Sequence, residues 1–248
     1  MKPWQKVLIF TLLNIPCFYA LREYYDTRQV RLVSALLPSV VKVSPVGHRW
    51  MEQLVMTPEG LDIQKVYMGF GVMGHGSGVF IDKKGLIVTC AHVVEGTPLV
   101  EISFTSDKEK LSPKRYRTEG KLLAYVVGRD LANDVALLRV VNPLKGIRPV
   151  KVAKSVRKGT PVLTIGFPGP FNKYVTAGVI SGSLNGAIFS DLVIAPGNSG
   201  GGVFDINGTL LGLARAMTGP YPIPTYQGFS VLSALDKIND LMEKYRGF

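Results

Sequence analysis

Short apolar runs separated by turn residues dominate the chain from Leu36 onward. The first half contains five runs rich in β-branched residues: Ser39–Ser44, Gly78–Ile81, Leu86–Thr89, Leu99–Phe104 and Leu122–Val127. The second half contains six more: Val135–Val141, Pro161–Ile165, Val175–Ser181, Val203–Asp205, Leu210–Ala216 and Gly228–Val231. Many short strands at this spacing predict antiparallel barrels or sandwiches.

Three local patterns refine this picture. Residues Asp205–Gly208, with the sequence DING, predict a hairpin turn between two strands. Apolar residues recur at helical spacing over Ser233–Tyr245, which predicts a C-terminal helix with Ser233 as its N-cap. The proline and glycine within Asn142–Arg148 indicate a boundary between two halves of the fold.

The N-terminal segment follows a different pattern. Lys2 and Lys6 precede the apolar run Val7–Leu21. This run is shorter than the roughly 20 residues of a membrane span and fits the apolar region of a signal peptide. An uncleaved signal-anchor and a buried amphipathic helix are the alternatives. We assign residues 1–33 to a signal or anchor segment and linker, and expect a membrane-anchored or exported (periplasmic or extracytoplasmic) protein. A buried helix would instead leave the protein cytoplasmic.

The composition indicates a folded protein with many turns. Of 248 residues, 46% are hydrophobic and 19% are charged, which excludes intrinsic disorder. The 27 glycines and 16 prolines suit short strands and turns better than a helical bundle. Two cysteines, Cys17 and Cys90, exclude a disulfide-dense scaffold. The net charge of +11 raises the question of an anionic partner.

Three candidate catalytic residues lie in three short segments: His92 in TCAHVV, Asp134 in NDVALL and Ser199 in PGNSGG. A serine hydroxyl is a weak nucleophile that needs a histidine to take its proton and a carboxylate to orient that histidine. Glycines beside the serine let the backbone turn tightly and present N–H groups to a developing oxyanion. We expect the oxyanion hole at Gly197, Asn198 and Ser199, with the N–H groups of Gly197 and Ser199 as donors.

Each segment alone has an ordinary structural interpretation, as a glycine-rich turn, a core histidine or a carboxylate at the end of a loop. Their conjunction in the order His, Asp, Ser favours catalysis. Of the three histidines, His48, His75 and His92, only His92 has such a context. The proposed chemistry uses neither a metal nor a cofactor, and we expect none.

With these segments the sequence resembles the trypsin/chymotrypsin-like serine proteases, and within them the HtrA (DegP)-like branch. Further stretches share the likeness: Gly76–Ile81 (GSGVFI), Asp130–Leu138, Gly166–Pro168 (GFP), Val175–Ser181 (VTAGVIS), Gly208–Leu213 and Gly228–Val231. The matches extend from about Pro38 to Val231, which is most of the chain. Each motif alone is weak evidence, and the combination is specific.

The resemblance implies an all-β fold of two antiparallel β-barrels with the active site between them and a short C-terminal helix. Residues 34–145 would form the first barrel, with His92 and Asp134. Residues 146–248 would form the second barrel, with Ser199, and the C-terminal helix. The implied activity is hydrolysis of peptide bonds in proteins or peptides. Ser199 would attack the carbonyl, His92 would act as base and then acid, and Asp134 would hold the imidazole.

The chain departs from the HtrA pattern at two places. Too few residues follow Val231 for the PDZ domain that HtrA proteins usually carry, so we expect none in this sequence. Cys90 stands where HtrA-like proteins often have Asn, and we interpret it as a small buried side chain rather than a rival nucleophile. The regulation and trimer assembly of HtrA proteins are therefore not assumed, and self-association into a homo-oligomer stays open.

By the same resemblance, the substrate-binding residues precede the serine loop and lie on the strand after it: Leu192, Val193, Ile194, Leu213, Ala214 and Arg215. An apolar pocket base favours a small or medium apolar residue before the cut. Asp191, the nearest acid, is expected outside the pocket. Arg215 either leans into the cleft, where it would favour acidic groups, or points to solvent.

The basic excess is concentrated in two stretches. Val135–Ser190 contains eight Lys and Arg but no Asp or Glu, and a second basic run covers Lys108–Lys121. A basic face held against an anionic membrane suits an N-terminal anchor, and a solvated surface without a partner is the alternative. Nucleic-acid binding is disfavoured because neither aromatic platforms nor a groove-reading helix is evident.

Three functional hypotheses follow, of which a serine endopeptidase is favoured. The first alternative is a catalytically silent module of the protease fold that binds peptides or a partner. The second, less favoured, is a basic nucleic-acid-binding β protein, whose binding would be salt-sensitive and independent of Ser199.

Overall fold

The computed structural model describes residues 27–57, 60–72, 74–104, 122–141, 147–184, 187–215, 230–233 and 235–245. The N-terminal apolar run Val7–Leu21, the basic run Lys108–Lys121 and residues 142–146 at the predicted boundary lie outside these ranges. The predicted division of the chain between residues 145 and 146 therefore stays a prediction.

The chain divides into two units, residues 1–37 and residues 38–248. In the first unit, residues 27–36 form helix α1, in which the hydroxyl of Ser34 donates a hydrogen bond to the carbonyl of Val30 at 2.8 Å. Across the ranges just given, none of the helices has the length and apolar character that crossing a membrane would require.

The second unit is built almost entirely of strands. Its strands, numbered in chain order within the described ranges, are β1 Val40–Thr57, β2 Gly60–Val72, β3 Gly76–Phe80, β4 Leu86–Thr89, β5 Leu99–Ser103, β6 Leu122–Asp130, β7 Val135–Val140, β8 Pro161–Gly166, β9 Tyr174–Leu184, β10 Ala187–Ser190, β11 Gly202–Asp205, β12 Leu210–Arg215 and β13 Ser230–Ser233. A 3₁₀ helix covers Ala91–Val94, another covers Leu37–Ser39, and helix α2 covers Leu235–Lys244.

Strands β1 and β3 to β7 close into the first barrel. Their order is β1-β3-β4-β7-β6-β5, and β1 also pairs antiparallel with β5, which completes the ring. Strand β2 pairs with the outer part of β1 as a hairpin, from Val46 opposite Val72 to Thr57 opposite Gly60. Closure leaves no free edge among the six ring strands. Unpaired strand edges would otherwise promote edge-to-edge association with other chains.

Strands β8 to β13 close into the second barrel, in the order β10-β13-β12-β11-β8-β9. Eight buried side chains form its core cluster: Val162, Ile180, Ile188, Leu192, Val203, Leu211, Ala214 and Leu232. All the pairings between these strands are antiparallel. The prediction of an all-β fold made of two antiparallel barrels is confirmed.

The apolar periodicity explains the local structure. Along β5, Val100 and Ile102 are buried while their neighbours are partly exposed, which is the two-residue alternation of a strand with one face in the core. Along α2, Ile238 and Leu241 are buried, and the helix contacts β7 and β12. The predicted C-terminal helix is therefore confirmed.

The expected N-cap of that helix is wrong. Ser233 is the last residue of β13, is 1% exposed, and donates its hydroxyl to the carbonyl of Asp134 at 3.3 Å. Ser233 can make this contact because β13 pairs with β12 inside the second barrel. A tertiary hydrogen bond thus replaces the local one that the sequence pattern suggested.

Candidate active site

Two paired strands of the first barrel bring His92 and Asp134 together. Strand β4 pairs antiparallel with β7, with Thr89 opposite Ala136. His92 lies in the 3₁₀ helix after β4, and Asp134 is the residue before β7. The register therefore places both residues at the same end of the barrel, although 42 positions separate them in the sequence.

The imidazole of His92 faces the carboxylate of Asp134. His92 Nδ1 lies 2.8 Å from Oδ2 and 2.9 Å from Oδ1, and the backbone N–H of His92 donates to Oδ1 at 2.9 Å. The Asp134 side chain is 5% exposed, whereas that of His92 is 37% exposed. A proton on Nδ1 that is held by this buried carboxylate leaves Nε2 as the proton acceptor for a reacting group.

A strained turn presents the Asp134 carboxylate. Asp134 has a φ of 57°, and no other non-glycine residue of the described ranges has a positive φ. Asp130 closes the turn: its Oδ1 accepts the N–H of Asn133 at 3.0 Å and its Oδ2 accepts Nδ2 of Asn133 at 2.7 Å. Left-handed backbone at a non-glycine residue costs energy and persists where the surroundings enforce it, often at functional sites.

Ser199 lies in a tight loop immediately before β11. Gly197 and Gly200 on either side have φ values of 98° and 83°. A Cβ on Gly197 would collide with the carbonyl oxygen of Phe167, and one on Gly200 would collide with that of Ser77. Only glycine fits at these two positions, both for its backbone freedom and for the close approach of neighbouring backbone.

Ser77 of β3 braces this loop from the first barrel. Its N–H donates to the carbonyl of Ser199 at 2.7 Å, and its hydroxyl donates to the carbonyl of Gly197 at 2.8 Å. The same hydroxyl accepts the N–H of Phe167 at 2.9 Å. In the sequence, Ser77 stands out only as part of the family-like stretch Gly76–Ile81. A serine between two glycines in an apolar strand was the available signal for a buried polar role.

Two residues of the second barrel also reach Asp134. Arg215, at the end of β12, forms an ion pair with its Nε 2.9 Å from Oδ2 of Asp134. Ser233 binds the Asp134 carbonyl from β13. Burial opposes ionisation of Asp134, but the hydrogen bonds from His92 and the charges of His92 and Arg215 outweigh it and hold the pKa of Asp134 below its ordinary value of 3.8.

A family profile described as "Trypsin-like peptidase domain" matches residues 76–213, more than half of the chain. The matched residues include His92, Asp134 and Ser199. The chain belongs to the trypsin-like peptidase family.

Relatives of this trypsin-like chain place it in the HtrA (DegP)-like branch. It is 32% identical over 216 residues to "Protease Do-like 1, chloroplastic" of Arabidopsis thaliana, covering 82% of this chain and 44% of that protein. It is 33% identical over 177 residues to "Periplasmic serine endoprotease DegP" of Escherichia coli (strain K12), covering 66% of this chain and 35% of that protein. The chain thus spans less than half the length of these curated relatives.

A solved structure shares the trypsin-like fold. The crystal structure of the serine endoprotease from Yersinia pestis matches with a TM-score of 0.61 and 22% sequence identity, covering 86% of this chain and 65% of that chain. The likeness supports the two-barrel architecture described above.

The three residues predicted to form a trypsin-like oxyanion hole are consecutive in the serine loop. The backbone N–H of Asn198 donates to the carbonyl of Ala195 at 2.9 Å, so this N–H is engaged within the loop. The Asn198 side chain is buried, and its Oδ1 accepts no hydrogen bond from the part of the chain that the structure describes. A hole formed by the N–H groups of Gly197 and Ser199 stays a prediction.

The predicted substrate-binding residues have diverse environments. Leu213 and Ala214 are fully buried, backbone as well as side chain. Val193 is 68% exposed, whereas Ile194 is partly buried against the core cluster of the second barrel. Arg215 is paired with the Asp134 carboxylate rather than standing alone in solvent. The assignment of these five residues to substrate binding stays a prediction.

Cys90 is a free cysteine buried beside the site. Its Sγ lies 3.5 Å from the carbonyl oxygen of Ala214, and burial together with the charge of Asp134 raises the pKa of its thiol. In the described residues, one group of three side chains has metal-ligand atoms within 4.8 Å of one another: Cys90, His92 and Asp134. A neutral thiol is a poor ligand and Asp134 already binds His92 and Arg215, so this arrangement favours holding the imidazole over binding an ion.

Proposed function

We propose that this trypsin-like chain is a serine endopeptidase that hydrolyses peptide bonds of proteins through Ser199, His92 and Asp134. The observation that carries the proposal is the contact of His92 Nδ1 with both oxygens of the buried Asp134 carboxylate. Orienting a histidine in this way serves general-base chemistry at Nε2. The glycine-rich loop that holds Ser199 supplies the accompanying nucleophile.

The proposed reaction proceeds in two stages. Ser199 Oγ attacks the scissile carbonyl carbon while His92 Nε2 takes the hydroxyl proton, and Asp134 stabilises the resulting imidazolium. The imidazolium returns that proton to the leaving amine as the C–N bond breaks, which leaves an acyl group on Ser199. Water then attacks the ester with His92 again as base, releasing the carboxylate product and restoring the hydroxyl.

We further propose a preference for a small or medium apolar residue before the cut. The segment before the serine loop contributes the buried Leu192 and the partly buried Ile194, and neither offers a counter-charge for a basic residue. Asp191 is engaged elsewhere, because its Oδ1 accepts the backbone N–H of Val179 at 2.6 Å. A pocket without a carboxylate disfavours cleavage after Lys or Arg.

The relatives' names motivate a proposed location outside the cytoplasm, since they are periplasmic and chloroplastic proteins. An N-terminal signal or anchor would deliver the chain there. Exposed basic residues between β7 and β8 would then complement an anionic membrane: Arg148, Lys151, Lys154, Arg157 and Lys158. Separating cells into soluble and membrane fractions, followed by a wash in high salt, checks both parts of this proposal.

A serine-reactive fluorophosphonate tests the proposed activity directly. We expect the purified protein to be labelled, with the label located at Ser199 by mass spectrometry of the digested protein. Ser199→Ala removes the nucleophile and His92→Ala removes its base, so labelling should vanish in the first variant and fall by about 10³-fold or more in the second.

Ser155→Ala is the matched control, because Ser155 is an exposed serine on the second barrel and should label like the wild type. Circular dichroism confirms that each variant is folded. A folded wild-type protein that does not label, even with protein substrates present, would contradict the endopeptidase and favour the silent binding module.

A further inference from the structure

Arg215 is a cation placed directly against the carboxylate that orients the candidate catalytic histidine. Its Nε lies 2.9 Å from Oδ2 of Asp134, the same oxygen that lies 2.8 Å from His92 Nδ1. Oδ2 of Asp134 therefore contacts both His92 of the first barrel and the guanidinium of Arg215 of the second. The other oxygen, Oδ1, is taken by the backbone N–H of His92.

The position of Arg215 is fixed by its strand. Arg215 pairs with Val231 across β12 and β13. The carbonyl of the preceding residue, Ala214, accepts the N–H of Gly200, and the N–H of Ala214 donates to the carbonyl of Gly201, each at 2.8 Å. The Arg215 side chain is 40% exposed, whereas the carboxylate that it pairs with is 5% exposed. The ion pair thus links the strand that holds the serine loop to the residue that holds His92.

A fixed cation at this point has a definite electrostatic effect. A positive charge beside Asp134 compensates part of the negative charge that would otherwise stabilise an imidazolium on His92. It therefore opposes the build-up of a further positive charge on the neighbouring imidazole. In the described residues, Cys90 also lies beside His92 and Asp134, with its Sγ within 4.8 Å of ligand atoms of both. Its thiol is neutral because burial raises the pKa.

We propose that Arg215 is a positioning residue that holds the Asp134 carboxylate in place and whose positive charge acts on His92 through that carboxylate. The proposal rests on the proposed function of His92, Asp134 and Ser199. It differs from the substrate-binding role that the sequence suggested for Arg215, because here the guanidinium acts through Asp134 rather than on the substrate.

Three variants separate the charge of Arg215 from its bulk. Arg215→Met keeps an unbranched side chain and removes the charge, Arg215→Lys keeps the charge, and Lys84→Met removes one exposed positive charge in the turn between β3 and β4. For each protein, kcat and KM for a peptide ester substrate are measured between pH 5 and pH 9. The rate of fluorophosphonate labelling is measured over the same range, as a readout that does not depend on substrate binding.

We expect the acid limb of the kcat/KM profile to move to higher pH in Arg215→Met. The ratio of kcat/KM at pH 6 to that at pH 8 should fall about threefold or more, the size expected for one charge beside a partly exposed pair. Arg215→Lys should restore most of the wild-type ratio, Lys84→Met should leave it unchanged, and KM at pH 8 should stay within about twofold of wild type in all variants.

Two outcomes would overturn the inference. An unchanged acid limb in Arg215→Met shows that the charge does not act on His92. A rise in KM without movement of the limb assigns Arg215 to substrate binding instead. Either result is distinguishable from failure of the proposed function, because in that case the wild-type protein itself would neither label nor hydrolyse the ester.

Discussion

At the scale of single residues, the candidate site is organised around the surroundings of Asp134. Its carboxylate binds His92 and Arg215, its carbonyl accepts from Ser233, and its backbone occupies the left-handed region. Each contact removes a degree of freedom from the group that orients His92. A catalytic carboxylate held in this way needs no rearrangement when the histidine becomes protonated.

Replacing Asp134 by Asn tests this role. A neutral amide in place of the carboxylate cannot act as a charged acceptor for both His92 Nδ1 and the guanidinium, so the histidine loses its tautomer and its stabilising charge. We expect the second-order rate of fluorophosphonate labelling of Ser199 to fall by about 10³-fold or more. Asp205→Asn, at the last residue of β11, where the carboxylate accepts backbone N–H groups of the following turn, is the matched control and should keep the wild-type rate. Equal rates for the two variants would refute the orienting role.

The residue types of the site were predictable, but their supporting contacts were not. The sequence alone was enough to select three candidates, His92, Asp134 and Ser199, because each lies in a short segment whose composition suits nucleophilic catalysis. Ser77 and Arg215 gave no comparable local signal. Ser77 contacts Gly197 across 120 positions of sequence, and such a contact depends on how two barrels pack rather than on any nearby pattern.

At the scale of elements, strand β3 of the first barrel supports the loop that holds Ser199. The Ser77 hydroxyl binds the carbonyl of Gly197 and the N–H of Phe167, and Thr89 of β4 in turn donates its hydroxyl to the carbonyl of Ser77 at 2.6 Å. The loop conformation therefore depends on polar groups of the neighbouring barrel. Buried hydrogen bonds of this kind are costly to leave unmade and so define one arrangement of the loop.

Ser77→Ala should destabilise the protein and disturb the loop together. The change leaves the carbonyl of Gly197 and the N–H of Phe167 without their shared partner, at a cost of about 1–3 kcal/mol in the free energy of unfolding. We also expect labelling of Ser199 to slow about tenfold or more, because the loop loses its brace. Urea unfolding and labelling rates measure the two effects.

Thr164→Val in β8 provides the matched control for this prediction. The Thr164 hydroxyl is buried and has no hydrogen-bond partner within the ranges that the structure covers. Removing it with a side chain of similar shape should therefore leave stability unchanged or raise it. The bracing role is wrong if Ser77→Ala costs no more than Thr164→Val and labels at the wild-type rate.

The strands themselves were largely predictable, with two informative exceptions. Strand β10, Ala187–Ser190, is only four residues long and has a glycine just before it, so its apolar content did not stand out. Strand β2, Gly60–Val72, mixes glycine and charged residues with apolar ones, which masks the period of two. Strand β10 pairs with β9, which had a clear pattern, whereas β2 pairs with Val46–Thr57 of β1, a stretch beyond the predicted run Ser39–Ser44. Pairing rather than local propensity forms both strands.

At the scale of the whole unit 38–248, Asp134 connects the candidate active site to the stability of the two-barrel fold. Its carboxylate, on the first barrel, pairs with Arg215 of the second, and its backbone carbonyl accepts a hydrogen bond from Ser233 of the second. The ion pair with Arg215 forms only when Asp134 is ionised and the two barrels are in place. Stability should therefore depend on pH through this residue.

The sign of this dependence follows from the lowered pKa of Asp134. A carboxylate whose pKa in the folded state lies below its ordinary value of 3.8 stabilises the fold at all pH values above that value. This stabilisation is lost as the pH falls from about 4 through the lower pKa of the folded state. We expect Asp134→Asn to lower the free energy of unfolding most at pH 7 and least near pH 3, as urea unfolding across this range would show. A difference that stays constant with pH, or grows in acid, contradicts the assignment.

The sequence by itself determined the strand-rich character of the chain, the C-terminal helix and the three residues His92, Asp134 and Ser199. These features depend on local composition. They follow from runs of β-branched residues, from glycines in turns, and from the glycines that the tight loop around Ser199 requires. The tertiary structure alone decided that Ser233 binds Asp134 instead of capping a helix, that Ser77 holds the serine loop, and that Arg215 pairs with the orienting carboxylate. Those contacts arise where the two closed barrels meet, and the residues that meet there are set by strand order and register rather than by distance along the chain.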